Sequence, residues 1–373
     1  MAALEDIEAH YGRFAREVVA GHPELNQGDR LPPDIRRQLR ANKMFGLCLP
    51  ESCGGQGGNA RTLVGAARAL VSESGNIGIA LSWLLHETIS YWLIYRFADE
   101  RQKTELLPDL AAGRITVSLA VSEPEIGAHP KHLQTEACPE NGLWRLNGKK
   151  CHITNGPMAD WFIILAKTGK SGDRNLFTAF LVPWDAAGLT VAPATALPFL
   201  RPCPHAEISL QDCRIDGARV LGPLDRAFTE MAVLFRRVED VLMASLIHGG
   251  LCYELNWLAN MAGPYPDALN EDFLYPLGWL KCSIDAMAPL IEKNAEFLDQ
   301  KMEARKPAPL SLFLRTQADT FQNRFKTLAA NVLTEAELNG LALIRDIDAL
   351  LGIGRQAAQN RIIRAGRELL TPV

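Results

Sequence analysis

The sequence predicts an α+β protein in three parts: an N-terminal α-helical domain over 1–115, a middle antiparallel β-domain over 116–225 and a C-terminal four-helix bundle over 226–373. Three observations predict it. Apolar residues recur at helical spacing up to about residue 115. The period falls to two across the middle. A proline-free run from Arg226 to Ala262 then reopens a helical pattern, long enough for a bundle.

The elements follow in order. Leu4 to Ala20 has one apolar face, and Pro32-Pro33 opens a second helix that runs to Asn42-Lys43. The segment FGLCLPESCGGQGGNA is a turn-rich connection. Helical patterns resume over Arg61–Ser72, Asn76–Phe97 and Glu100–Leu107. In the middle part, Trp144, Leu146, Ile153, Phe162, Ile164, Phe177, Ala179, Leu181, Leu189 and Val191 fall in short alternating runs. Asn141-Gly142, Asn147-Gly148 and Asn155-Gly156 are hairpin signals between them. Pro202 and Pro204 mark a loop before a strand at Ala206–Leu210.

The last part opens with Arg226–Ala262, whose residues Met231, Leu234, Val238, Leu242 and Ser245 share a face. At 1.5 Å per residue this helix is about 55 Å long. Gly263-Pro264 stops it, and helices follow over about 274–303, 311–337 and 345–370. Pro289 predicts a kink or break inside the first of these.

Composition narrows the function. The chain is 47% hydrophobic and 22% charged, as soluble domains are. A net charge of -4 and a pI near 6.1 speak against a nucleic-acid partner. The eight cysteines form no C-x-x-C pair and no zinc spacing, so they read as reduced, mostly buried or half-buried thiols of a cytoplasmic protein, with no metal site. The N-terminus MAALEDIEAHYGRFAREVV lacks the apolar core of a signal peptide. The apolar stretch around Ile79–Leu85 is broken by polar residues, so no membrane span is expected. No G-x-G-x-x-G opens a βαβ unit, and neither a Walker loop nor H-E-x-x-H is present, which speaks against a Rossmann dehydrogenase and a zinc hydrolase.

Four segments carry a resemblance. LPDLAAGRITVSLAVSEPEIGAH (107–129), GKKCHITNGPMADWFIILAKT (148–168), the segment ending CRIDGARVLGP, and RDIDALLGIGRQAAQNRIIRAG stand in the order and spacing seen in the acyl-CoA dehydrogenase family, which the chain resembles over nearly its whole length. That family oxidises acyl-CoA thioesters to trans-2-enoyl-CoA. A carboxylate removes the α-proton while the β-hydride passes to FAD. The chemistry needs a hydrogen-bonded thioester carbonyl, a carboxylate in a dry site and a stacked isoalloxazine.

The resemblance implies flavin-binding roles for five positions. Val121 and Ser122 match positions whose backbone and hydroxyl meet the ring, and Thr154 matches the threonine near flavin N5. Gly127 matches the glycine that lets the pyrophosphate approach. His152 stands where relatives place a tryptophan over the ring; it is alternatively a solvated hairpin histidine. Structural turns alone also account for the Glu-Pro…Gly and Thr-Asn-Gly patterns.

There are departures. Ala128 replaces a serine at the phosphates, and the Q-x-x-G-G-x-G loop of relatives falls on Thr327–Leu333, which has no glycine and is expected to continue as helix. The arginine of R-x-x-F-G is not evident after Tyr253. The glutamate base of y-E-G-T falls on Ile353-Gly354-Arg355-Gln356, which holds no carboxylate.

Other relatives place the base on the helix that opens the bundle. That position is Asp240, with Glu239 beside it as the second candidate, and only one of the two adjacent side chains can face a site. Both are alternatively solvent-facing partners of Arg236, Arg237 or another arginine. The resemblance implies an acyl-CoA or acyl-carrier thioester as substrate, an electron-transfer flavoprotein as acceptor, and a homo- or hetero-oligomer. Candidate pocket residues are Trp83, His86, Trp92 and the stretch Leu234–Leu242, although core packing explains them equally. A flavin-deficient partner subunit of a heteromer and a homologue with altered chemistry are the alternative functions.

Overall fold

A computed structural model describes residues 4–192, 197–263, 270–300 and 308–370. They divide into two compact units. The first holds His22–Asn59 and Gly78–Glu239; the second holds the chain from Leu4 to Gly21, Ala60–Ile77 and the residues from Asp240 onward.

In the first unit, α2 (Pro33–Ala41) begins with proline at its first position, where no amide donor is needed. Helix α4 (Ile77–Thr88) is extended by a π-helical segment, Ile89–Tyr95. Ile77–Tyr95 is long and apolar enough to cross a membrane, contrary to the expectation, but 94% of its most apolar stretch is buried inside the protein, as in a core helix. Helix α5 (Glu100–Ala111) starts at a capping box between Asp99 and Gln102.

The strands are β1 (Val117–Ala120), β2 (Glu136–Glu140), β3 (Leu143–Thr154), β4 (Trp161–Ser171), β5 (Arg174–Pro183), β6 (Leu189–Val191), β7 (His205–Asp216) and β8 (Val220–Leu221). They form one sheet in the order β6-β7-β3-β2-β4-β5-β8, with β1 paired to β4. Its core is built from Leu146, Ile153, Phe162, Ile164, Phe180, Val182, Ile208 and Cys213.

The expected antiparallel domain needs two amendments: β2 pairs parallel with β4 at Glu136–Lys167, and β1 runs parallel to β4. Hairpins force neighbouring strands to be antiparallel, but β1 arrives from a helix and meets β4 only after β2 and β3 have intervened. The Asn-Gly pairs also differ from expectation. Asn141-Gly142 does turn β2 into β3, with both residues at positive φ. Asn147-Gly148 makes no turn and sits at a register shift inside β3. Gly148 is required there, because a Cβ would lie 2.5 Å from Thr135 Oγ1.

In the second unit, α1 (Leu4–Phe14) and α3 (Ala60–Ser74) pack together, and α3 packs on α7 (Glu271–Asp299), which packs on α8 (Ala308–Ala329). Helix α6 (Val233–Ala262), which enters this unit at Asp240, follows a π-helical turn of the first unit, Phe228–Ala232. Gly263 ends it; Pro264 and residues 301–303 lie outside the described residues. Helix α7 is not broken at Pro289, nor at Pro276.

The predicted 311–337 helix is shorter than expected. Helix α8 stops at Ala329 and the chain turns through Asn331 and Val332, whose amides donate to Leu328 O (3.2 Å) and Ala329 O (3.1 Å). Thr334 then caps α9 (Glu335–Gly340) in a box with Glu337, an N-terminal signal that competes with continuation. The predicted 345–370 helix is two, α10 (Ala342–Gly352) and α11 (Arg355–Leu370), separated at Gly354, whose φ is +70°.

Candidate functional site

The residues of the first unit that the resemblance singles out converge at one end of β3. Beyond β1, the Val121 carbonyl accepts from Lys150 Nζ (3.0 Å) and the Ser122 carbonyl accepts from the Cys151 amide (2.9 Å). The Ser118 hydroxyl donates to the Thr154 carbonyl (3.0 Å). These bonds lay Val121 and Ser122 beside Lys150–Thr154.

The chain then reverses. Glu123 and Gly127 exchange backbone hydrogen bonds of 3.0 and 2.9 Å. Gly127 has φ +66°, and a Cβ on it would meet no atom within 4 Å. The left-handed backbone calls for glycine here, while the space beside it is left open by the chain.

His152 sits on a bulge, where the β3–β7 register slips between Lys150 and Ile153. It has φ +54°, is exposed, and lies with Nδ1 3.1 Å from Cys151 Sγ. A bulge re-aims a side chain out of the strand alternation. Ser122 and Thr154 are half-buried, and among the described residues neither hydroxyl makes a hydrogen bond within the chain. Two free hydroxyls, a re-aimed histidine and an open glycine turn thus share one edge. This edge offers hydrogen-bonding groups to a polar ligand, with open space at the glycine turn.

A buried ion pair backs that edge. Lys150 is fully buried and its Nζ lies 2.9 Å from Glu123 Oε1. Glu123 also accepts from the amides of Gln134 (2.7 Å, Oε2) and Thr135 (2.9 Å, Oε1). Burial pushes Lys150 down to about 8, against the pull of Glu123. Burial would raise Glu123, but Lys150 and the donors around it outweigh that and hold it below the usual carboxylate range. Nothing in the spacing of Glu123 and Lys150 announces this pairing, although both lie in segments that carry the family resemblance.

The candidate pocket residues Trp83, His86 and Trp92 are all core residues. Trp83 Nε1 donates to Met44 O (2.6 Å) and His86 Nε2 lies 3.0 Å from Leu110 O. Burial pushes His86 down to about 4. Glu87 beside it receives the amides of Gly46 (2.8 Å) and Leu47 (2.7 Å).

The carboxylate candidates lie on α6. Glu239 closes the first unit and approaches Arg236 Nη1 at 3.9 Å. Asp240, in the second unit, accepts from Arg361 Nη1 at 2.8 Å through Oδ2. Successive helical residues turn by about 100°, and the two carboxylates accordingly take different partners. Arg361 was not singled out in the sequence, because its partner lies on a different helix.

Where relatives carry the y-E-G-T glutamate, the end of α10 is closed by Arg315 of α8. Its Nη2 donates to the carbonyls of Leu350 (3.4 Å), Leu351 and Ile353 (2.7 Å). This satisfies carbonyls that a helix end otherwise leaves open.

Residues 2–114 match the family model described as acyl-CoA dehydrogenase, N-terminal domain, and residues 118–213 match that described as acyl-CoA dehydrogenase, middle domain. The chain belongs to the acyl-CoA dehydrogenase family. It is 31% identical over 219 residues to the probable acyl-CoA dehydrogenase YngJ of Bacillus subtilis, covering 58% of this chain and 57% of that one. It is 32% identical over 180 residues to the L-prolyl-[peptidyl-carrier protein] dehydrogenase of Pseudomonas fluorescens, covering 48% and 47%. The matches thus span less than two thirds of these relatives' lengths. Two solved structures share the fold. The FAD complex of PigA aligns with TM-score 0.86 at 22% identity, over 100% of this chain and 99% of that one. The butyryl-CoA dehydrogenase of Megasphaera elsdenii aligns with TM-score 0.84 at 20% identity, over 97% and 99%.

Proposed function

We propose that this family member is a flavoprotein dehydrogenase. It binds FAD at the Val121–Thr154 edge and oxidises an acyl thioester at Cα–Cβ. The observation that carries the reading is the pair of half-buried, unbonded hydroxyls of Ser122 and Thr154 flanking the re-aimed His152. Val121, Ser122, Thr154 and His152 would hold the flavin ring, and Gly127 would leave room for the pyrophosphate. FAD supplies the two-electron acceptor for the β-hydride.

Asp240 is the proposed base that takes the α-proton, with Glu239 as the second candidate. Arg361 holds Asp240 Oδ2 and so fixes the carboxylate's orientation. The acyl group is bound as a CoA or carrier thioester; the relative named as an L-prolyl-[peptidyl-carrier protein] dehydrogenase supports including carriers. An electron-transfer flavoprotein is the proposed acceptor, and the cytoplasm the proposed location.

Association with a like or unlike subunit belongs to the same proposal. Helix α11 buries none of its residues and exposes Ile362, Ile363, Leu369 and Leu370, an apolar face that water alone would otherwise meet.

The test is the visible absorption spectrum of the purified chain, followed by anaerobic addition of acyl-CoA and acyl-carrier thioesters. Near-stoichiometric FAD that bleaches with one thioester class supports the reading. A colourless chain that takes up no added FAD refutes it for the chain alone.

A further inference from the structure

The buried Lys150–Glu123 pair has no part in the chemistry proposed above, yet it is placed where the proposed flavin-binding turn leaves the sheet. Removing a lysine and a glutamate from water is costly, and an apolar pair of similar volume is often as stable. A buried pair of this kind is best accounted for by what it specifies. Here three segments meet on it. Lys150 on β3 reaches back to the Val121 carbonyl (3.0 Å) and to Glu123 Oε1 (2.9 Å). Glu123 takes the amides of Gln134 and Thr135, where the chain returns toward β2. Glu123 also closes the turn through its backbone bonds with Gly127.

The approach to the turn and its return are therefore tied to one cation. Between them lie Ser122, with its unbonded hydroxyl, and Gly127, with its open side. The Thr135 hydroxyl adds a bond to Lys149 O (3.3 Å), and Gly148 allows β3 to close on Thr135. An apolar residue at 150 would leave the Val121 carbonyl and the Glu123 carboxylate without their shared donor. Turn and strand would then be free to part.

We propose that Lys150 and Glu123 are the positioning residues of the flavin-binding turn: together they set the shape in which residues 121–127 are presented to FAD. The proposal rests on the flavin reading above for the identity of the ligand, and on the hydrogen bonds alone for the positioning.

The experiment uses the full chain as wild type, Lys150→Gln and Lys150→Arg. It reads two quantities: the FAD dissociation constant with the flavin absorption envelope, and amide hydrogen exchange at residues 121–127 without added FAD. We expect Lys150→Gln to bind FAD at least tenfold more weakly, with a less resolved flavin band. We expect its 121–127 amides to exchange at least tenfold faster while those of β5 are unchanged. Lys150→Arg, which keeps the cation, should restore most of both.

Wild-type exchange at 121–127 in Lys150→Gln overturns the positioning, as does unaltered FAD affinity in that variant. If Lys150→Gln does not fold, Lys150→Arg and Glu123→Gln decide by the same two readouts. A wild-type chain that takes up no FAD refutes the flavin reading, while the exchange rates still decide whether the pair shapes the turn.

Discussion

Replacing Glu254 by glutamine should stabilise the protein, and increasingly so as pH rises. Glu254 lies on α6, fully buried, and accepts from Gln322 Nε2 at 3.0 Å through Oε1. Among the described residues, its Oε2 and the Gln322 Oε1 are both buried acceptors with no donor. An ionised Glu254 leaves two such acceptors; a proton on Oε2 supplies a donor. Burial, against the Gln322 bond, pushes Glu254 up to about 8 from an ordinary value of 4.5. Between those values the folded protein holds a proton that the unfolded chain lacks, so stability falls as pH rises. The slope is about 1.4 kcal/mol per pH unit, and the loss across the window is on the order of 5 kcal/mol.

Glutamine is nearly isosteric, carries no charge and offers both a donor and an acceptor, so Glu254→Gln removes this slope. Burial likewise raises Glu87, to about 7, which adds slope to both proteins and cancels in their difference. The assay is urea unfolding followed by far-ultraviolet circular dichroism from pH 5 to 8.5. We expect near-equal stability at pH 5 and a gain of several kcal/mol for the variant at pH 8. Parallel pH profiles, or a variant less stable at every pH, would refute the argument that Glu254 is held as a neutral acid.

Three other outcomes are expected. Burial pushes His86 and His248 each down to about 4, so both are neutral in the folded protein while the unfolded chain protonates below 6.5; the stability they contribute is fully present above pH 6.5 and is lost as pH falls toward 4, opposite in sign to the slope from Glu87 and Glu254, so the check is the thermal midpoint of His248→Gln against wild type, and parallel profiles across that window would contradict this. Gly55→Ala places a methyl 2.1 Å from the Leu49 carbonyl oxygen and should cost about 1–3 kcal/mol, whereas Gly278→Ala, on an exposed turn of α7 with nothing within 4 Å, should gain about 0.5–1 kcal/mol; denaturant midpoints order the two. Asp240→Asn should retain FAD yet lose at least a hundredfold in the rate of flavin bleaching by substrate under stopped flow, and an unchanged rate would move the base elsewhere.

Much of the architecture was legible in the sequence because it rests on local period and punctuation. The alternation of Phe162 and Ile164 predicted β4, Pro33 predicted the start of α2, and Asn141-Gly142 predicted the β2–β3 turn. The same local logic misread Asn147-Gly148, because a strand that needs glycine for close approach to Thr135 carries the same dipeptide as a hairpin. It also ran α8 through Thr327–Leu333, although the Thr334 capping box was a readable signal for a new helix start. At the candidate site, Val121, Ser122, Gly127, His152 and Thr154 were named from motifs, and their convergence along β3 is a matter of geometry.

The sequence by itself determined the order of helices and strands, because helix and strand periods, caps and turn residues act within a few positions along the chain. It also determined the family, through motifs that are contiguous. Only the tertiary structure decided that β1 runs parallel to β4, that Lys150 is shared by Val121 and Glu123, that Arg361 holds Asp240 and that Gln322 meets Glu254. Those pairings join residues 27 to 121 positions apart, or strands that meet by topology. Their partners are selected by which backbones the packed core brings within hydrogen-bond reach, and no local spacing encodes that choice.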